Sequence, residues 1–316
     1  MFLINSNNIQ YFSLGRDAFE NIFQNIYLAE DELVLIPSLI CDVVLPPIRK
    51  YTNNIRYYSL NKNLEPKNLF DFENVRVIIL VNYFGFPQNI NQIIDYYKNN
   101  NNIIIIEDNA HGFLSKDESN NYLGTRGDYG IFSYRKTFFL PDGAILFKKN
   151  ISVNDPLICK ENTKLKFRIK HIFLKISKIL NTNILLIIRK IKLKNYISFS
   201  DENFMKPELP FRYSINFILN IDADSEINRR RNLYKYFNEI LKPYNISPVF
   251  DNLPKNTCPY GYAFYVNDEN DLKKIIKISN KFGFDCVFWP QLPRDTNIFY
   301  INGNIGKIFF INFTYQ

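Results

Sequence analysis

Four side chains that could perform chemistry together lie close to one another in the sequence: Asp108, His111, Ser133 and Lys136. Glu107 and Asp108 directly follow the β-branched run from Ile103 to Ile106, which is typical of a strand covered on both faces in a parallel sheet. This strand is predicted to end where the two acids begin. In open α/β sheets, ligands bind outside the carboxyl ends of the strands, so Asp108 is a candidate ligand-facing group.

A second strand is predicted from Tyr129 to Tyr134, and it delivers Ser133, Arg135 and Lys136 at its own carboxyl end. If the two strands are neighbours, all four side chains converge on one crevice. This set suits pyridoxal phosphate (PLP), which needs a lysine amine for a Schiff base, a carboxylate beside its pyridine nitrogen and donors for its phosphate. A carboxylate after a strand followed by a lysine some tens of residues later is also common, so spacing alone leaves a purely structural interpretation open.

The segments EDNAH and GDYGIFSYRKTFFLPDGAIL resemble the core of the DegT/StrS-type sugar aminotransferases. The family pattern has an acidic pair, Ala-His or Ala-Gln, Gly-Asp, a Phe-Ser-Phe-type strand, the Schiff-base lysine and a pair of small residues. Gly143 and Ala144 follow Lys136 at the family's spacing. The link from Ser133 to Lys136 is shorter than usual and matches a family variant with Arg-Lys-Thr before a Pro-Asp-Gly turn. The resemblance implies that Lys136 is the catalytic lysine.

The resemblance also implies cofactor contacts. Asp108 would pair with the ring nitrogen, His111 would lie against the ring hydroxyl, and Ser133 would bind the phosphate. Gly15 opens an amphipathic helix, where a glycine turn presents N–H groups to an anion. Because the family cradles the PLP phosphate with a similar turn, Gly15 and Arg16 are phosphate candidates; the alternative is an ordinary capped helix.

Four further positions can be compared with the family pattern. Cys41 stands where many members stack an aromatic ring on the pyridine; it can still pack there, and a nucleophilic role is disfavoured because no base is predicted beside it. Tyr83 could reach the cofactor or pack in the core. Pro210 replaces an asparagine that crosses the dimer interface to the partner's phosphate, and proline cannot donate that contact. Another residue must then substitute, or one subunit holds the phosphate alone. Trp289 lies in the segment CVFWPQLP, which resembles the family's small-domain loop near the substrate, and a core position is favoured for it over a ligand contact.

The predicted architecture is an α/β fold-type-I PLP transferase. The strand, turn and helix from Val75 to Asn100 lead into the next strand, a rhythm that favours parallel strands joined by right-handed crossovers. The resemblance implies a large domain over residues 1–220, with a mainly parallel seven-stranded sheet, and a smaller C-terminal α/β domain over residues 221–316. Long helices are predicted from about Asp224 to Leu241 and from Asn270 to Phe282.

Composition narrows the class of protein. The chain has 316 residues, 46% of them hydrophobic, which is enough to bury a large core. The first ten residues lack the features of a signal peptide, and no uncharged apolar run approaches the ~18 residues of a spanning helix, so the cytoplasm is the expected location. The four cysteines are far apart and form no CxxC pair, which indicates neither a metal site nor a disulfide framework.

The segment from Lys160 to Lys194 is unusually basic. It contains eleven Lys or Arg residues and one Glu, a local charge of +10 in a chain of net charge +8. Apolar residues interleave with the bases, which predicts an amphipathic helical region over residues 160–200. A solvated basic helix is favoured over a surface that attracts nucleotide-sugar phosphates or an anionic membrane. Nucleic-acid binding is disfavoured because no recognition motif accompanies the charge.

The reaction implied by the resemblance is transfer of an amino group from an amino acid, glutamate or glutamine, to a keto-sugar carried on a nucleotide. Such a step belongs to the biosynthesis of surface polysaccharides or glycoconjugates, and the enzyme is expected to be a homodimer. One alternative is a PLP-dependent sugar dehydratase or deoxygenase, but the family's sugar 3-dehydratases replace the lysine with histidine. The other is a catalytically silent binding protein, which Cys41 and Pro210 motivate.

Overall fold

The computed structural model describes residues 8–97, 103–138, 140–150, 172, 208–266, 268–289 and 308–314. Apart from residue 172, the predicted basic region over residues 160–200 lies outside these ranges, and so does the stretch after Trp289 up to residue 307. Within the described residues, no helix is long and apolar enough to cross a membrane.

Eleven strands and seven helices organise the described residues. The strands are β1 Ile9–Phe12, β2 Leu33–Pro37, β3 Ile55–Tyr58, β4 Val75–Val81, β5 Ile104–Asn109, β6 Tyr129–Phe132, β7 Ala144–Lys148, β8 Ile246–Pro248, β9 Gly261–Val266, β10 Cys286–Phe288 and β11 Ile308–Asn312. The helices are α1 Gly15–Gln24, α2 Leu45–Arg49, α3 Ile90–Tyr97, α4 Tyr134–Thr137, α5 Arg212–Leu219, α6 Ala223–Ile240 and α7 Glu269–Lys281.

The larger sheet has seven strands in the order β1-β7-β6-β5-β4-β2-β3. The five strands from β6 to β3 are parallel, whereas β7 and β1 each pair antiparallel with their neighbours. The apolar runs of β2 and β4 suit this position because helices cover both faces of such a sheet. The predicted α/β class with a mainly parallel seven-stranded sheet is therefore confirmed.

A second, antiparallel sheet has the order β10-β11-β9-β8 and is formed by residues of the C-terminal part. One hydrophobic cluster joins the two sheets, with Ile79 of β4 and Phe264 of β9 among its members. The two long helices begin and end within one residue of their predicted bounds. The boundary between the domains at residues 220 and 221 stays a prediction.

The strand that carries Asp108 is longer than predicted. The sequence indicated an end before Glu107, but β5 continues to Asn109 because its backbone remains paired on both sides, with Val81 of β4 and Ile131 of β6 both opposite Asp108. Conversely, β6 ends at Phe132, and Tyr134 begins α4 instead of ending the strand. Ser133 and Lys136 therefore lie on the tight turn that follows β6.

A glycine turn joins α4 to β7 and gives a first prediction. Gly143 has φ +132°, and a Cβ there would lie 1.9 Å from Cε2 of Tyr134. We expect Gly143→Ala to lower the free energy of unfolding by about 2–4 kcal/mol, because both backbone strain and a side-chain clash oppose it. Urea denaturation measures this loss. Gly15→Ala is the control, since its Cβ would meet only Ile131 at an ordinary 3.6 Å; an equal loss in both variants would contradict the explanation.

Candidate active site

A pocket at the carboxyl ends of β4 and β5 collects most of the predicted side chains. It has a volume of about 320 Å³, including space open to solvent. The residues that line it are Leu39, Ile40, Cys41, Val81, Asp108, Ala110, His111, Lys136 and Trp289. The predicted convergence of Asp108, His111 and Lys136 is therefore present, because β5 and β6 are adjacent and parallel. The other walls are largely apolar.

Asp108 is a buried carboxylate whose charge is only partly compensated. Its side chain accepts a hydrogen bond from the Ala110 N–H at 3.0 Å, and the residue is 8% exposed. Burial raises the pKa of Asp108, while the positive charge of Lys136 and the Ala110 hydrogen bond act to lower it. A protonated nitrogen placed against this carboxylate would stabilise its ionised form.

His111 lies in an aromatic environment beside Asp108. Its ring stacks on Tyr260 with 4.5 Å between centroids and 1° between planes, and it contacts the edge of Trp289 at 5.4 Å. Burial, together with the charge of Lys136, holds the pKa of His111 well below its usual value, so the imidazole is neutral near pH 7. Its Nδ1 atom is buried and has no hydrogen-bond partner within the described residues.

Lys136 is held in place through its backbone. Its N–H donates to the Ser133 carbonyl at 2.9 Å, and its carbonyl accepts from Thr314 Oγ1 at 2.7 Å. The next carbonyl, that of Thr137, accepts from the buried guanidinium of Arg230 on α6. Thr314 and Arg230 were not predicted as site residues, because no local pattern reveals contacts 178 and 93 residues apart in the chain.

Glu107 and Arg126 form a buried ion pair beneath the Asp108 strand. Arg126 Nη2 lies 2.6 Å from Glu107 Oε1, with side-chain exposures of 8% and 1%. The other carboxylate oxygen accepts from the backbone N–H groups of Gly124, Arg126 and Gly127. Glu107 therefore ties the loop that precedes β6 to strand β5. It does not line the pocket, although it is adjacent to Asp108 in the sequence.

Breaking this pair gives a second prediction. Arg126→Met should lower the free energy of unfolding by about 3–5 kcal/mol, because it leaves the Glu107 carboxylate buried without its cation. The double variant with Glu107→Gln should lose less than the sum of the single losses, with a coupling of about 1–3 kcal/mol in a urea double-mutant cycle. The exposed pair of Lys242 and Glu239 is the control and should show no measurable coupling. Additive losses at Glu107 and Arg126 would rule out a stabilising pair.

Cys41, Tyr83 and Trp289 occupy different places around the pocket. Cys41 lines it, and burial raises the pKa of its thiol, which does not favour the nucleophilic alternative. Tyr83 is not among the lining residues; it is buried and donates to the Leu39 carbonyl at 2.7 Å, so it packs behind the wall. Trp289 packs against the core, as was favoured, with its ring 5.0 Å from that of Phe84, and it also lines the pocket.

The predicted phosphate residues lie beside the pocket and not in its walls. Gly15 begins α1, and its Cα faces Ile131 of β6. Two backbone hydrogen bonds tie this helix start to the turn that carries the lysine: Gly143 N–H donates to the Ser13 carbonyl at 2.8 Å, and Arg135 N–H donates to the Gly143 carbonyl at 3.3 Å. Ser133, Gly15 and Arg16 are thus placed around one junction, and their roles stay predictions.

Comparisons with known proteins agree with this geometry. Residues 39–161 match the model of the DegT/DnrJ/EryC1/StrS aminotransferase family. A search of curated protein sequences finds no significant match to the chain.

Solved structures of low sequence identity share the fold. A protein from Streptococcus pneumoniae described as a sugar aminotransferase, in its PMP form, aligns at 15% identity and TM-score 0.66, covering 97% of this chain and 81% of its own. A DegT/DnrJ/EryC1/StrS aminotransferase from Brucella abortus aligns at 15% identity and TM-score 0.64, covering 96% of this chain and 80% of its own. The GDP-4-keto-6-deoxy-D-mannose-3-dehydratase of E. coli, with bound hydrated PLP, aligns at 15% identity and TM-score 0.62, covering 96% of this chain and 82% of its own.

The family match spans the pocket residues from Leu39 to Lys136, and the similarity in fold extends over almost the whole chain. The chain is thus similar to the DegT/DnrJ/EryC1/StrS aminotransferase family over the segment that carries Asp108, His111 and Lys136, and it shares the fold of the solved aminotransferases over almost its whole length.

Proposed function

We propose that this chain is a PLP-dependent aminotransferase that transfers the amino group of an amino acid to a keto-sugar carried on a nucleotide. The observation that carries the proposal is the pairing of the buried Asp108 carboxylate with the Lys136 amine in one pocket with apolar walls. The polar groups of the pocket also suit the polar groups of PLP. Asp108 would be stabilised by a protonated ring nitrogen, and the unpartnered His111 Nδ1 could hydrogen-bond to a ring substituent.

Each residue has a distinct task in this proposal. Lys136 would hold PLP through Nζ and, once released, would take a proton from the substrate carbon onto Nζ and deliver it to the C4′ carbon of the cofactor. Asp108 would keep a proton on the pyridine nitrogen, and His111 would orient the ring. PLP itself supplies an electron sink for the carbon that bears the amino group. Trp289 and the apolar walls exclude water from the reacting atoms.

The sugar substrate is the finer part of the proposal. Its support is the family match, together with structural neighbours described as a sugar aminotransferase and as a GDP-4-keto-6-deoxy-D-mannose-3-dehydratase. The dehydratase reaction is the second candidate, and Lys136 disfavours it because the family's sugar 3-dehydratases carry histidine at that position. Glutamate or glutamine is the proposed donor, the cytoplasm the proposed location and a homodimer the proposed assembly.

Two experiments test the proposal in sequence. First, the purified chain is treated with PLP and then borohydride, and peptide mass spectrometry should find PLP fixed on Lys136. Second, the PLP-loaded protein is mixed with glutamate or glutamine, and the visible spectrum should change as the amino group moves to the cofactor. PLP fixed on Lys136 without any donor reaction would favour the silent alternative. Release of water from a keto-deoxy-sugar nucleotide, without amino transfer, would favour the dehydratase.

A further inference from the structure

The guanidinium of Arg135 forms no ion pair with the residues that the structure describes. Its Nε atom is buried and has no hydrogen-bond partner among these residues, although Arg135 as a whole is partly exposed. A buried guanidinium nitrogen usually has a partner, because leaving it without one is costly. Burial lowers the pKa of Arg135; among its neighbours, Tyr260 acts to raise this pKa and the positive charge of Arg16 acts to lower it.

The acid that interacts electrostatically with Arg135 does not pair with its guanidinium. Asp142 interacts electrostatically with Arg135, but its carboxylate accepts from Ser13 Oγ at 3.2 Å, from Ser214 Oγ at 2.8 Å and from the Phe211 N–H. These bonds hold Asp142 to the start of α1 and to α5. The positive charge of Arg135 is therefore near that of Arg16, while the Asp142 carboxylate is hydrogen-bonded to Ser13, Phe211 and Ser214.

The position of Arg135 links the pocket to the start of α1. It lies between Ser133 and Lys136, and its electrostatic neighbours include the pocket residue Cys41 as well as Arg16. The Arg135 N–H donates to the Gly143 carbonyl, and the Gly143 N–H donates to the carbonyl of Ser13, which lies two residues before Gly15. An anion at this junction would meet two guanidinium groups and the amino end of a ten-residue helix.

We propose that Arg135, with Arg16, binds the phosphate of PLP within a single subunit. This inference rests on the proposed function, because it assigns a residue to the cofactor of that function. A phosphate dianion matches the forked donors of two arginines better than a monoanion does. The assignment also explains how the site manages with Pro210, which cannot donate a side-chain hydrogen bond.

The test compares PLP with pyridoxal, which lacks the phosphate. Trp289 is the only tryptophan of the chain and lines the pocket, so quenching of its fluorescence reports binding of either compound. Arg135→Met should weaken PLP binding by about 10- to 100-fold, as expected for lost hydrogen bonds to a charged group, and leave pyridoxal binding within about twofold. Arg135→Lys, which keeps the charge but not the fork, should lose less.

Controls separate binding from folding. Arg56→Met removes an exposed arginine on the edge strand β3 and should change neither affinity. Without ligand, Arg135→Met should melt at about the same temperature as the unmodified chain, because its guanidinium forms no ion pair with the described residues; loss of a structural arginine would lower the melting temperature. Inorganic phosphate should compete with PLP in the unmodified chain and compete less well in Arg135→Met.

Three results would overturn the inference. Equal PLP affinity in Arg135→Met and the unmodified chain would show that Arg135 does not bind the phosphate. Equal losses for PLP and pyridoxal would mean that Arg135 only shapes the pocket. A raised KM for the amino donor with unchanged PLP affinity would assign Arg135 to the donor's carboxylate instead. By contrast, an unmodified chain that binds neither PLP nor pyridoxal would refute the proposed function itself.

Discussion

Lys136→Ala is expected to lower kcat for amino transfer by about 10⁴-fold, the upper range for removal of a general acid–base group. Lys136 lines the pocket together with Asp108, so its amine lies where the reaction is proposed to occur. Hydrogen bonds from its N–H to Ser133 and from Thr314 to its carbonyl hold its backbone in place. The same variant should show no PLP fixed by borohydride. Steady-state kinetics and peptide mass spectrometry measure the two effects.

Lys67→Ala is the matched control, since Lys67 is exposed in a loop away from the pocket. It should retain full activity and the same borohydride product as the unmodified chain. Activity near the original level in Lys136→Ala, or PLP fixed to a different lysine, would show that the catalytic amine had been assigned to the wrong residue.

Asp108→Asn is expected to keep PLP binding but reduce turnover by roughly 10³-fold, in line with the loss of one strong electrostatic contact at an active site. Asparagine keeps the shape and the hydrogen bond from Ala110 but carries no charge to hold a proton on the ring nitrogen. Because burial raises the pKa of Asp108, the carboxylate is a cost to the folded protein without ligand. The variant should therefore be at least as stable as the unmodified chain near pH 7.

Three measurements on Asp108→Asn separate these effects: Trp289 fluorescence for PLP affinity, kcat for turnover and urea denaturation for stability. Asp128→Asn is the comparison, because Asp128 accepts a hydrogen bond from the Ile105 N–H and lies outside the pocket walls. It should lose stability but retain most of its activity. Near-normal turnover in Asp108→Asn would mean that another group faces the ring nitrogen.

Local sequence signals predicted the elements that carry the site. The β-branched run before Glu107 indicated the buried strand that carries Asp108, and the strand predicted from Tyr129 delivered Lys136 after its carboxyl end. That the two strands are neighbours was a condition of the prediction, and the pairing of β5 with β6 meets it. The predicted end of β5 was wrong, because the strand stays paired with β4 and β6 through Glu107 and Asp108 although the side chains become acidic there. The order of apolar and polar residues does not reveal which strands pair.

Contacts between distant parts of the chain could not be predicted. Trp289 enters the pocket from the strand end after β10, and Arg230 reaches the Thr137 carbonyl from α6. Neither residue differs in sequence from an ordinary core tryptophan or a helix-surface arginine. Arg135 was visible in the sequence, but its lack of a partner appears only once the hydrogen bonds of Asp142 are known.

The hydrogen bond between Thr314 and the Lys136 carbonyl has a consequence for the order in which the protein is made. The two residues are 178 positions apart, and ribosomes add about 5–20 residues per second, so Thr314 is added roughly 10–35 s after Lys136. Until then the carbonyl of the proposed catalytic lysine lacks its partner, and the turn is held by its local backbone bonds and by Arg230. The growing chain can therefore close this contact only after Thr314 has left the ribosome tunnel, well after the rest of the turn has been made.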